Sequence, residues 1–453
     1  MSLYASLWGG LWQPAYERLR GRLTPRLEIE LERSQWLERE RLASRQWREL
    51  GALLEHARRE VPFYADWFAD SGVEVADLVA ARNLSPLPVV ERAQLMAEPE
   101  RHRATHAQAG TFAKATGGST GQPLRFLVDP ASDQWRLAMS RRGYAWAGCR
   151  PGLRQVYLWG SDFLPAQRTA LLKRRLHRAL MRQVYVDSFH LGPDELDQAL
   201  ATISRFRPAC VVAFTSAALI VARWALAKGW RPPAGLSSVI TGAEALFPAD
   251  RELLERVFGC PVFETYGSRE FMLMAAECPA HQGLHVSMEN LYIELLKDGK
   301  PARPGEVGEV VVTDLHNGAQ PFIRYRNGDL AVWAEGQCAC GRGLPRLGRV
   351  EGRVLDLLRT PDGRELTGTI FPHLLKDFPA VQSYQAEQDR LDHLILRLVL
   401  TAPLGQEDQA AIKAAVGGAL PGVDIELQPV ESIPLTPAGK RRVTIGLGRG
   451  ETG

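Results

Sequence analysis

The feature that most constrains the fold is an alternation of short β-rich runs with helical stretches, which begins near residue 110. Helical patterns at 195–205 and 217–228 lie among runs rich in β-branched and aromatic residues. Those runs are 155–159, 209–214, 238–241 and 261–264. Strands that alternate with helices are typical of a sheet covered by helices. The sequence therefore predicts an α/β body.

The segments on either side of this body have different patterns. Residues 27–60 place apolar side chains three and four apart among Glu and Arg, which predicts long amphipathic helices. Residues 291–332 favour strands and hairpins, with a turn at Asp298-Gly299. After about Gly352, a smaller module begins, with a strand near 394–400, a helix at 407–420 and a strand from 424. We expect three parts: a helical segment at 1–108, a core at 109–354 and a small C-terminal domain at 355–453.

Composition excludes several classes of protein. The 453 residues are 45% hydrophobic and 24% charged, as in globular proteins of two or three domains. The 55 basic residues nearly balance the 52 acidic ones, which argues against a nucleic-acid binder. The N-terminus lacks the features of a signal peptide, so we expect a cytoplasmic protein. Its aromatic and small apolar residues leave contact with a membrane surface or a partner open, and homodimerisation is also left open.

The stretch Lys114–Arg125, KATGGSTGQPLR, concentrates glycine, serine and threonine. Such a loop exposes backbone N–H groups and hydroxyls without obstruction, which suits a triphosphate. It is not the GxxxxGK[ST] loop of common nucleotide triphosphatases, because no Lys-Ser or Lys-Thr follows the glycines. Taken alone, the loop fits a phosphate cradle and a surface turn equally well.

Four further motifs follow the loop in order. They are Thr265–Glu270 (TYGSRE), Arg324–Asp329 (RYRNGD), Gly348–Asp356 (GRVEGRVLD) and Pro434–Lys440 (PLTPAGK). With the loop, they resemble the adenylate-forming superfamily of acyl-CoA synthetases, adenylation domains and luciferases. Within it, the chain looks most like the phenylacetate-CoA ligase branch and its capsule-biosynthesis relatives. The resemblance spans about residues 50–445 and implies a large multi-sheet N-terminal domain, with a helical N-terminal extension, and a small mobile α+β C-terminal domain.

The resemblance implies an enzyme that joins a carboxylic acid to the α-phosphate of ATP, releases pyrophosphate and passes the acyl group to CoA. Mg²⁺ is the implied metal, because this chemistry depends on charge neutralisation and positioning. Two alternatives stay open. One delivers the adenylate to an amine and forms an amide, and the other is a non-catalytic nucleotide-binding scaffold.

The resemblance also assigns residues to the nucleotide. Glu270 would hold Mg²⁺, as a single carboxylate beside phosphate oxygens. Asp329 would accept both ribose hydroxyls, with Arg353 as its neighbour, and Tyr266 would stack near the adenine. The remaining nucleotide-binding candidates are Thr116, Gly117, Gly118, Ser119, Thr120, Gly121, Gly242, Ala243, Glu244, Gly267, Ser268 and Arg349.

Two residues of the C-terminal motifs complete the expected machinery. Lys440 would bridge the attacking carboxylate and the α-phosphate, where two negative charges meet; the alternative is a surface lysine in a hairpin. Asp356 would be the hinge of the small domain, although a capping aspartate fits its context nearly as well.

The chain departs from the family pattern at several positions. Arg269 replaces the usual threonine before the metal-binding glutamate, and Asn327 replaces a threonine before Gly-Asp. Leu124 replaces the lysine after the proline of the loop. The glycine-rich segment that lines the CoA tunnel is rewritten as Arg359–Arg364. The last change leaves the acceptor of the second half-reaction open.

The six cysteines are too few for a disulfide scaffold in a chain of this length. Three of them, Cys278, Cys338 and Cys340, form with His285 a candidate structural zinc site, for which His281 is the second choice of histidine. Free thiols packed as small hydrophobic groups are the alternative.

The acyl pocket is the least determined part of the site. Phe214 and Thr215 lie at the end of a run whose apolar sequence predicts a buried strand. Together with Trp159, they would line one wall of the acyl pocket. The sequence does not distinguish an aryl, fatty, amino or uronic acid.

Overall fold

The computed structural model describes residues 3–106, 108–116, 124–159, 175–188, 191–353, 358–363, 365–366, 370–375, 378, 380–434 and 442–447. Helices dominate the chain before its first strand. They are α1 (Leu3–Leu7), a π-helical segment (Trp8–Trp12), α2 (Gln13–Leu19), α3 (Thr24–Ser34), α4 (Arg39–Glu60), α5 (Pro62–Ser71), α6 (Val75–Ala81), α7 (Arg92–Ala97) and a 3₁₀ turn (Pro99–His102).

Helix α4 shows why this region is helical. Most of its Glu and Arg side chains are exposed, while Leu50, Leu54 and Ala57 are buried at the required four- and three-residue spacing. In the described part of the chain, later helices cover or flank the sheets: α8 (Pro130–Trp146), α9 (Pro193–Phe206), α10 (Thr215–Ala227), α11 (Pro248–Phe258) and, in the C-terminal part, α12 (Ile370–Leu375) together with α13 (Gln406–Ala419). Residues 175–180 are also helical.

The strands form four sheets. They are β1 (Phe112–Ala115), β2 (Arg125–Val128), β3 (Gln155–Trp159), β4 (Gln183–Asp187), β5 (Cys210–Phe214), β6 (Ser238–Gly242), β7 (Val262–Ser268), β8 (Met272–Glu277), β9 (Leu284–Val286), β10 (Leu291–Lys297), β11 (Lys300–Pro301), β12 (Val307–Asp314), β13 (Tyr325–Trp333), β14 (Arg346–Arg353), β15 (Leu358–Arg359), β16 (Glu365–Leu366), β17 (Val381–Arg390), β18 (His393–Leu400), β19 (Asp424–Pro429) and β20 (Thr444–Ile445).

The largest sheet combines a parallel and an antiparallel half. Its order is β11-β10-β12-β13-β14-β9-β8-β7-β6-β5-β3-β4. Strands β4, β3, β5, β6 and β7 pair in parallel, and the pairs from β7 to β11 are antiparallel. Strand β5, with the sequence CVVAF, is buried along its whole length, as a central parallel strand covered on both faces must be. Strand β7 belongs to both halves, and it carries the TYGS residues.

The C-terminal part has its own core. Strands β17 to β20 form a sheet in the order β19-β18-β17-β20, against which helices α12 and α13 pack. Leu394, Leu396 and Leu398 alternate along β18 and are buried, as a strand with one covered face requires. The α/β class predicted from the sequence is confirmed. Within the described residues, no helix is both long and apolar enough to cross a membrane.

Candidate active site

A tight hairpin between β7 and β8 presents the TYGSRE motif. Ser268 pairs with Met272, so Arg269, Glu270 and Phe271 form the turn. A Cβ atom on Gly267 would lie 2.1 Å from the backbone oxygen of Met272, so only glycine fits there. The glycine of the motif therefore allows the close strand approach that places Glu270 at the tip of the hairpin.

Tyr266 and Asp329 meet beside this hairpin. The Tyr266 hydroxyl donates to Oδ2 of Asp329 at 2.7 Å. Asn327 Nδ2 lies 2.8 Å from the same carboxylate oxygen and 2.9 Å from the Tyr266 hydroxyl. In turn, the Asp329 backbone N–H donates to Asn327 Oδ1 at 3.0 Å. Asn327, a departure from the family pattern, thus fixes the orientation of both predicted nucleotide ligands.

The two arginines predicted from the GRVEGR motif lie at different positions on β14. Arg353 is the direct backbone partner of Asp329 in the β13–β14 ladder. Arg349 lies opposite Val332, further along the ladder. Its side chain is paired with Glu351 and is 64% exposed. The register therefore brings only Arg353 level with Asp329.

Glu270 lies in a cluster that joins three parts of the chain. Its side chain is buried, and among the residues that the structure describes its carboxylate has no hydrogen-bond or ion-pair partner. Burial raises the pKa of Tyr325, and the nearby Glu270 charge raises it further, whereas Arg92 lowers it. Arg92 Nη1 also donates to Thr116 Oγ1 at 3.2 Å. Glu270 and Arg92 thus both act on Tyr325, and Arg92 also contacts the start of the glycine-rich loop.

The two ends of the glycine-rich loop are held together and against the hairpin. Thr116 N donates to the Leu124 carbonyl, and Leu124 N donates to Thr116 Oγ1, each at 2.9 Å. Arg269 Nε donates to the Ala115 carbonyl at 3.2 Å. The arginine that replaces the family's threonine therefore ties the hairpin to the strand that leads into the loop.

The segment Gly242–Glu244 closes the end of β6. A Cβ atom on Gly242 would meet Thr265 Oγ1 at 2.6 Å, and Ala243 adopts a positive φ of 68°. This turn directs Glu244 to the start of α10, where its carboxylate accepts from Ser216 N at 2.7 Å and Ser216 Oγ at 3.0 Å. A carboxylate at a helix N-terminus is favoured by the helix dipole.

The residues expected to line the acyl pocket fall into two groups. Trp159 and Phe214 stack with ring centroids 4.0 Å apart, which makes an aromatic wall at the carboxyl ends of β3 and β5. Thr215 is buried and donates its hydroxyl to the Glu244 carbonyl at 3.0 Å. Thr215 therefore holds the Gly242–Glu244 turn in place.

The four candidate zinc ligands converge at the other end of β8 and β9. Their ligand atoms, from Cys278, His285, Cys338 and Cys340, all lie within 4.8 Å of one another. The two sulfurs of Cys278 and Cys338 are 3.6 Å apart, and Cys340 Sγ is 3.3 Å from His285 Nε2. A zinc-bound sulfur pair is separated by about 3.8 Å in a tetrahedral site. The spacing therefore fits a four-ligand metal site.

His285 is in the state that a metal ligand needs. Its Nδ1 lies 3.3 Å from the Leu344 carbonyl, which leaves Nε2 directed at the cysteines. Burial lowers the pKa of His285 to about 4. The imidazole is therefore neutral at pH 7 and oriented by its carbonyl partner, as is typical of metal-bound histidines. His281, the second choice, pairs instead with Glu277 at 3.3 Å.

Several predicted residues lie outside the described residues: Gly117, Gly118, Ser119, Thr120, Gly121, Asp356 and Lys440. Conversely, the structure adds Arg92, Tyr325 and Asn327 to the site. Tyr325 and Asn327 stand inside the RYRNGD motif and were open to prediction from it. Arg92 belongs to no motif, and it reaches the site because Val90 bridges Tyr325 and helix α7 begins two residues later.

The fold and this arrangement of Tyr266, Asp329 and Glu270 are those expected of an adenylate-forming enzyme, and comparison with known proteins points to the same class. The chain is 26% identical over 352 residues to a phenylacetate-coenzyme A ligase of Thermus thermophilus, with 71% of this chain and 72% of that protein covered. It is 20% identical to the protein CapK of Staphylococcus aureus over 86% of each chain. No family model matches it.

A solved structure supports the same class. The fold superposes on a 2-hydroxyisobutyryl-CoA ligase in the postadenylation state, in complex with R3-HIB-AMP, with a TM-score of 0.68 and 20% identity over 89% of each chain. The chain is thus similar in sequence to phenylacetate-CoA ligases and to CapK, and similar in fold to an acyl-CoA ligase.

Proposed function

We propose that the protein activates a carboxylic acid with ATP, forms an acyl-adenylate with release of pyrophosphate, and passes the acyl group to CoA. The observation that carries this proposal is the Tyr266–Asn327–Asp329 network near the buried residue Glu270, whose carboxylate has no hydrogen-bond or ion-pair partner among the described residues. The names of two similar proteins, a phenylacetate-coenzyme A ligase and a 2-hydroxyisobutyryl-CoA ligase, support the same reaction.

The nucleoside would be held by the network on β7 and β13. Asp329 would accept the ribose hydroxyls, and its Oδ2 accepts from Tyr266 and Asn327. Two donors on one carboxylate oxygen fix its plane, so the acceptor geometry exists before the nucleotide binds. Arg353, opposite Asp329, would be the neighbour of the ribose.

The phosphates would lie between the glycine-rich loop and Glu270. Glu270 fits Mg²⁺, because it is a hard oxygen donor that is buried without a partner among the described residues. When bound, Mg²⁺ neutralises the charge of the phosphate oxygens. Arg92 would add a positive charge at the start of the loop through its contact with Thr116.

The remaining chemistry is assigned to residues of the C-terminal motifs. Lys440 would bring the carboxylate and the α-phosphate together, and Asp356 would be the hinge between the adenylation and thioester-forming poses. Trp159 and Phe214 would line the acyl pocket. The proposed boundaries of the three parts remain 1–108, 109–354 and 355–453.

The test of this function is pyrophosphate release with Mg-ATP across a panel of aryl, fatty, amino and uronic acids, each with and without CoA. We expect release with one acid class that rises when CoA is added. Release that ignores CoA and responds to an added amine would identify an amide-forming enzyme. Silence across the panel would favour the nucleotide-binding scaffold.

The nucleotide network gives a conservative test of its own. Tyr266→Phe removes the hydroxyl that donates to Asp329. We expect KM for ATP to rise about tenfold, because a hydrogen bond to a charged group contributes about 1.5–3 kcal/mol. Tyr292→Phe is the matched control, since this tyrosine packs edge-to-face against Trp47 and lies outside the network. Equal KM values for both variants would remove Tyr266 from the nucleotide site.

We also propose that Cys278, His285, Cys338 and Cys340 bind one structural zinc ion. The site is closed, because four protein ligands leave no position for a reacting water. The zinc would join the β8–β9 hairpin to the loop before β14, since Cys278 and His285 belong to the first and Cys338 and Cys340 to the second.

Zinc binding predicts a metal stoichiometry and a stability effect. Protein purified without chelator should carry about one zinc per chain, and Cys340→Ser should carry almost none. The midpoint of thermal unfolding should fall in Cys340→Ser and in chelator-treated protein, because metal binding is coupled to folding. Cys260→Ser is the matched control, since Cys260 is a buried thiol outside the cluster. Metal-free protein with unchanged unfolding in chelator would contradict the proposal.

A further inference from the structure

The N-terminal helix, which we define as α1, the π-helical segment and α2 (residues 3–19), exposes most of its large apolar side chains and buries two polar ones. Between Leu3 and Leu19, the large side chains that face solvent are all apolar apart from Arg18: Tyr4, Leu7, Leu11, Trp12 and Leu19. Leu11 is 62% exposed and Trp12 is 60% exposed. By contrast, Gln13 and Glu17 are buried, and Glu17 accepts from Arg141 at 2.9 Å. A helix that rests on a globular core normally has the opposite arrangement.

A second segment extends this apolar surface. Residues 175–182 lie alongside the N-terminal helix, since the Tyr4 hydroxyl donates to the Leu180 carbonyl at 2.7 Å. The Arg182 guanidinium lies 4.8 Å above the Tyr4 ring. Leu176 is 61% exposed and Leu180 is 37% exposed. We call the exposed apolar side chains of 3–19 and 175–182 the apolar face.

Positive charge surrounds the apolar face. Residues 1–26 contain four arginines and one glutamate, and that glutamate is the buried Glu17. Residues 175–182 contain three arginines and no acidic residue. An exposed apolar surface edged with arginine is typical of helices that lie in the interface of an anionic membrane.

A cleft of about 270 Å³ adjoins this face and is lined by arginine. Arg154, Arg182 and Arg207 line it, and none of the described residues that line it is acidic. The cleft is next to the N-terminal helix, because Gly152, two residues before Arg154, packs against Trp8. A Cβ atom added to Gly152 would lie only 2.9 Å from the Trp8 Cβ. Guanidinium groups bind phosphate through paired N–H donors.

The cleft is distinct from the active site. Three residues that line the cleft each come directly before a parallel strand: Arg154 before β3, Arg182 before β4 and Ala209 before β5. The cleft therefore lies at the amino ends of the parallel strands. The nucleotide network and the Trp159–Phe214 wall lie at the carboxyl ends. Five-residue strands separate the two edges by about 17 Å.

We propose that the apolar face and the arginine cleft together dock the protein on an anionic phospholipid membrane, with a headgroup phosphate in the cleft. A membrane fits this surface better than a second copy of the chain does. A two-fold interface would place the arginines of one copy against those of the other, and their positive charges would repel. The protein lies on the membrane, since no described helix is able to span one. This docking is independent of the reaction proposed for the active site.

The test is flotation of the full-length protein with vesicles of phosphatidylcholine, alone or mixed with phosphatidylserine. We expect binding to the mixed vesicles that weakens as salt is raised. Leu11→Glu with Trp12→Glu should lower the vesicle partition coefficient at least about tenfold. Leu226→Glu is the matched control, because Leu226 is 49% exposed on a helix elsewhere. Pyrophosphate release with a water-soluble acid should be unchanged in all of these variants.

The arginine cleft is tested separately. Arg154→Gln with Arg207→Gln should lower binding to the mixed vesicles by about fivefold per arginine, and it should leave binding to phosphatidylcholine unchanged. Wild-type protein that floats with neither vesicle would overturn the proposal. A second outcome would also overturn it. If sedimentation velocity shows that the wild type is a dimer and that Leu11→Glu with Trp12→Glu is a monomer, the apolar face is a protein interface.

Discussion

Lys440→Ala is expected to lose adenylation while it still binds ATP. The residue sits in the Pro434–Lys440 motif, and we propose that its ammonium bridges two anions that repel each other. Removal of one such group lowers kcat by about a hundredfold or more. Pyrophosphate release gives kcat, and calorimetric titration gives the Kd for ATP, which should change little because we propose that Asp329 and the loop hold the nucleotide.

Two further variants define what Lys440 does. Lys413→Ala is the matched control, because Lys413 is an exposed lysine on α13, also in the C-terminal part. It should release pyrophosphate at the wild-type rate. Lys440→Arg keeps the charge but replaces a compact ammonium with a planar fork, so partial activity would show that charge matters more than shape. Wild-type turnover in Lys440→Ala would remove the residue from the reaction.

The parts of the fold that the sequence predicted are those set by local pattern. Strand β3 was predicted at its observed bounds, because Gln155–Trp159 is a short apolar run between turn signals. The Tyr266, Asp329 and Glu270 candidates were recognisable because each stands in a motif of a few consecutive residues. Patterns of this kind depend on neighbours in the chain, and a sequence displays them directly.

What the sequence did not predict depends on contacts between distant residues. Arg92 contacts Thr116, which is 24 residues away in the sequence, and the bridge between Val90 and Tyr325 positions Arg92 for this contact. In the same way, Arg349 and Arg353 are equivalent within their motif, and only the β13–β14 register separates them. The inverted N-terminal helix is a further case, since the pattern alone does not show which face is buried.

The departures from the family pattern have physical consequences that the structure explains. Asn327 supplies an amide that donates to Asp329 and a carbonyl that accepts from its backbone, which orients this carboxylate. Arg269 donates to Ala115 and so connects the hairpin to the loop strand. Both substitutions add contacts around the proposed ligands, so they alter the support of the site and retain its acidic groups.

Glu270→Gln is the second variant for which we expect a large effect. It should lower the rate of adenylation without lowering the stability of the protein. The substitution keeps the shape of the side chain and removes the charge that we propose for Mg²⁺. We expect adenylation to fall by about a hundredfold, because stabilisation of transition-state charge depends on the metal being held in place. The Mg²⁺ concentration for half-maximal rate should rise, as measured by titration at saturating ATP.

The stability of the same variant should stay equal to that of the wild type or rise. A buried charge without a partner among the described residues costs free energy in the metal-free protein, and a neutral amide of the same shape costs less. A gain in thermal midpoint with a loss of rate is the expected trade between stability and function. Glu252→Gln, at an exposed position on α11, is the control for both measurements. A lower midpoint with normal turnover would instead show that Glu270 serves the fold, because only a structural carboxylate would stabilise the protein without affecting its chemistry.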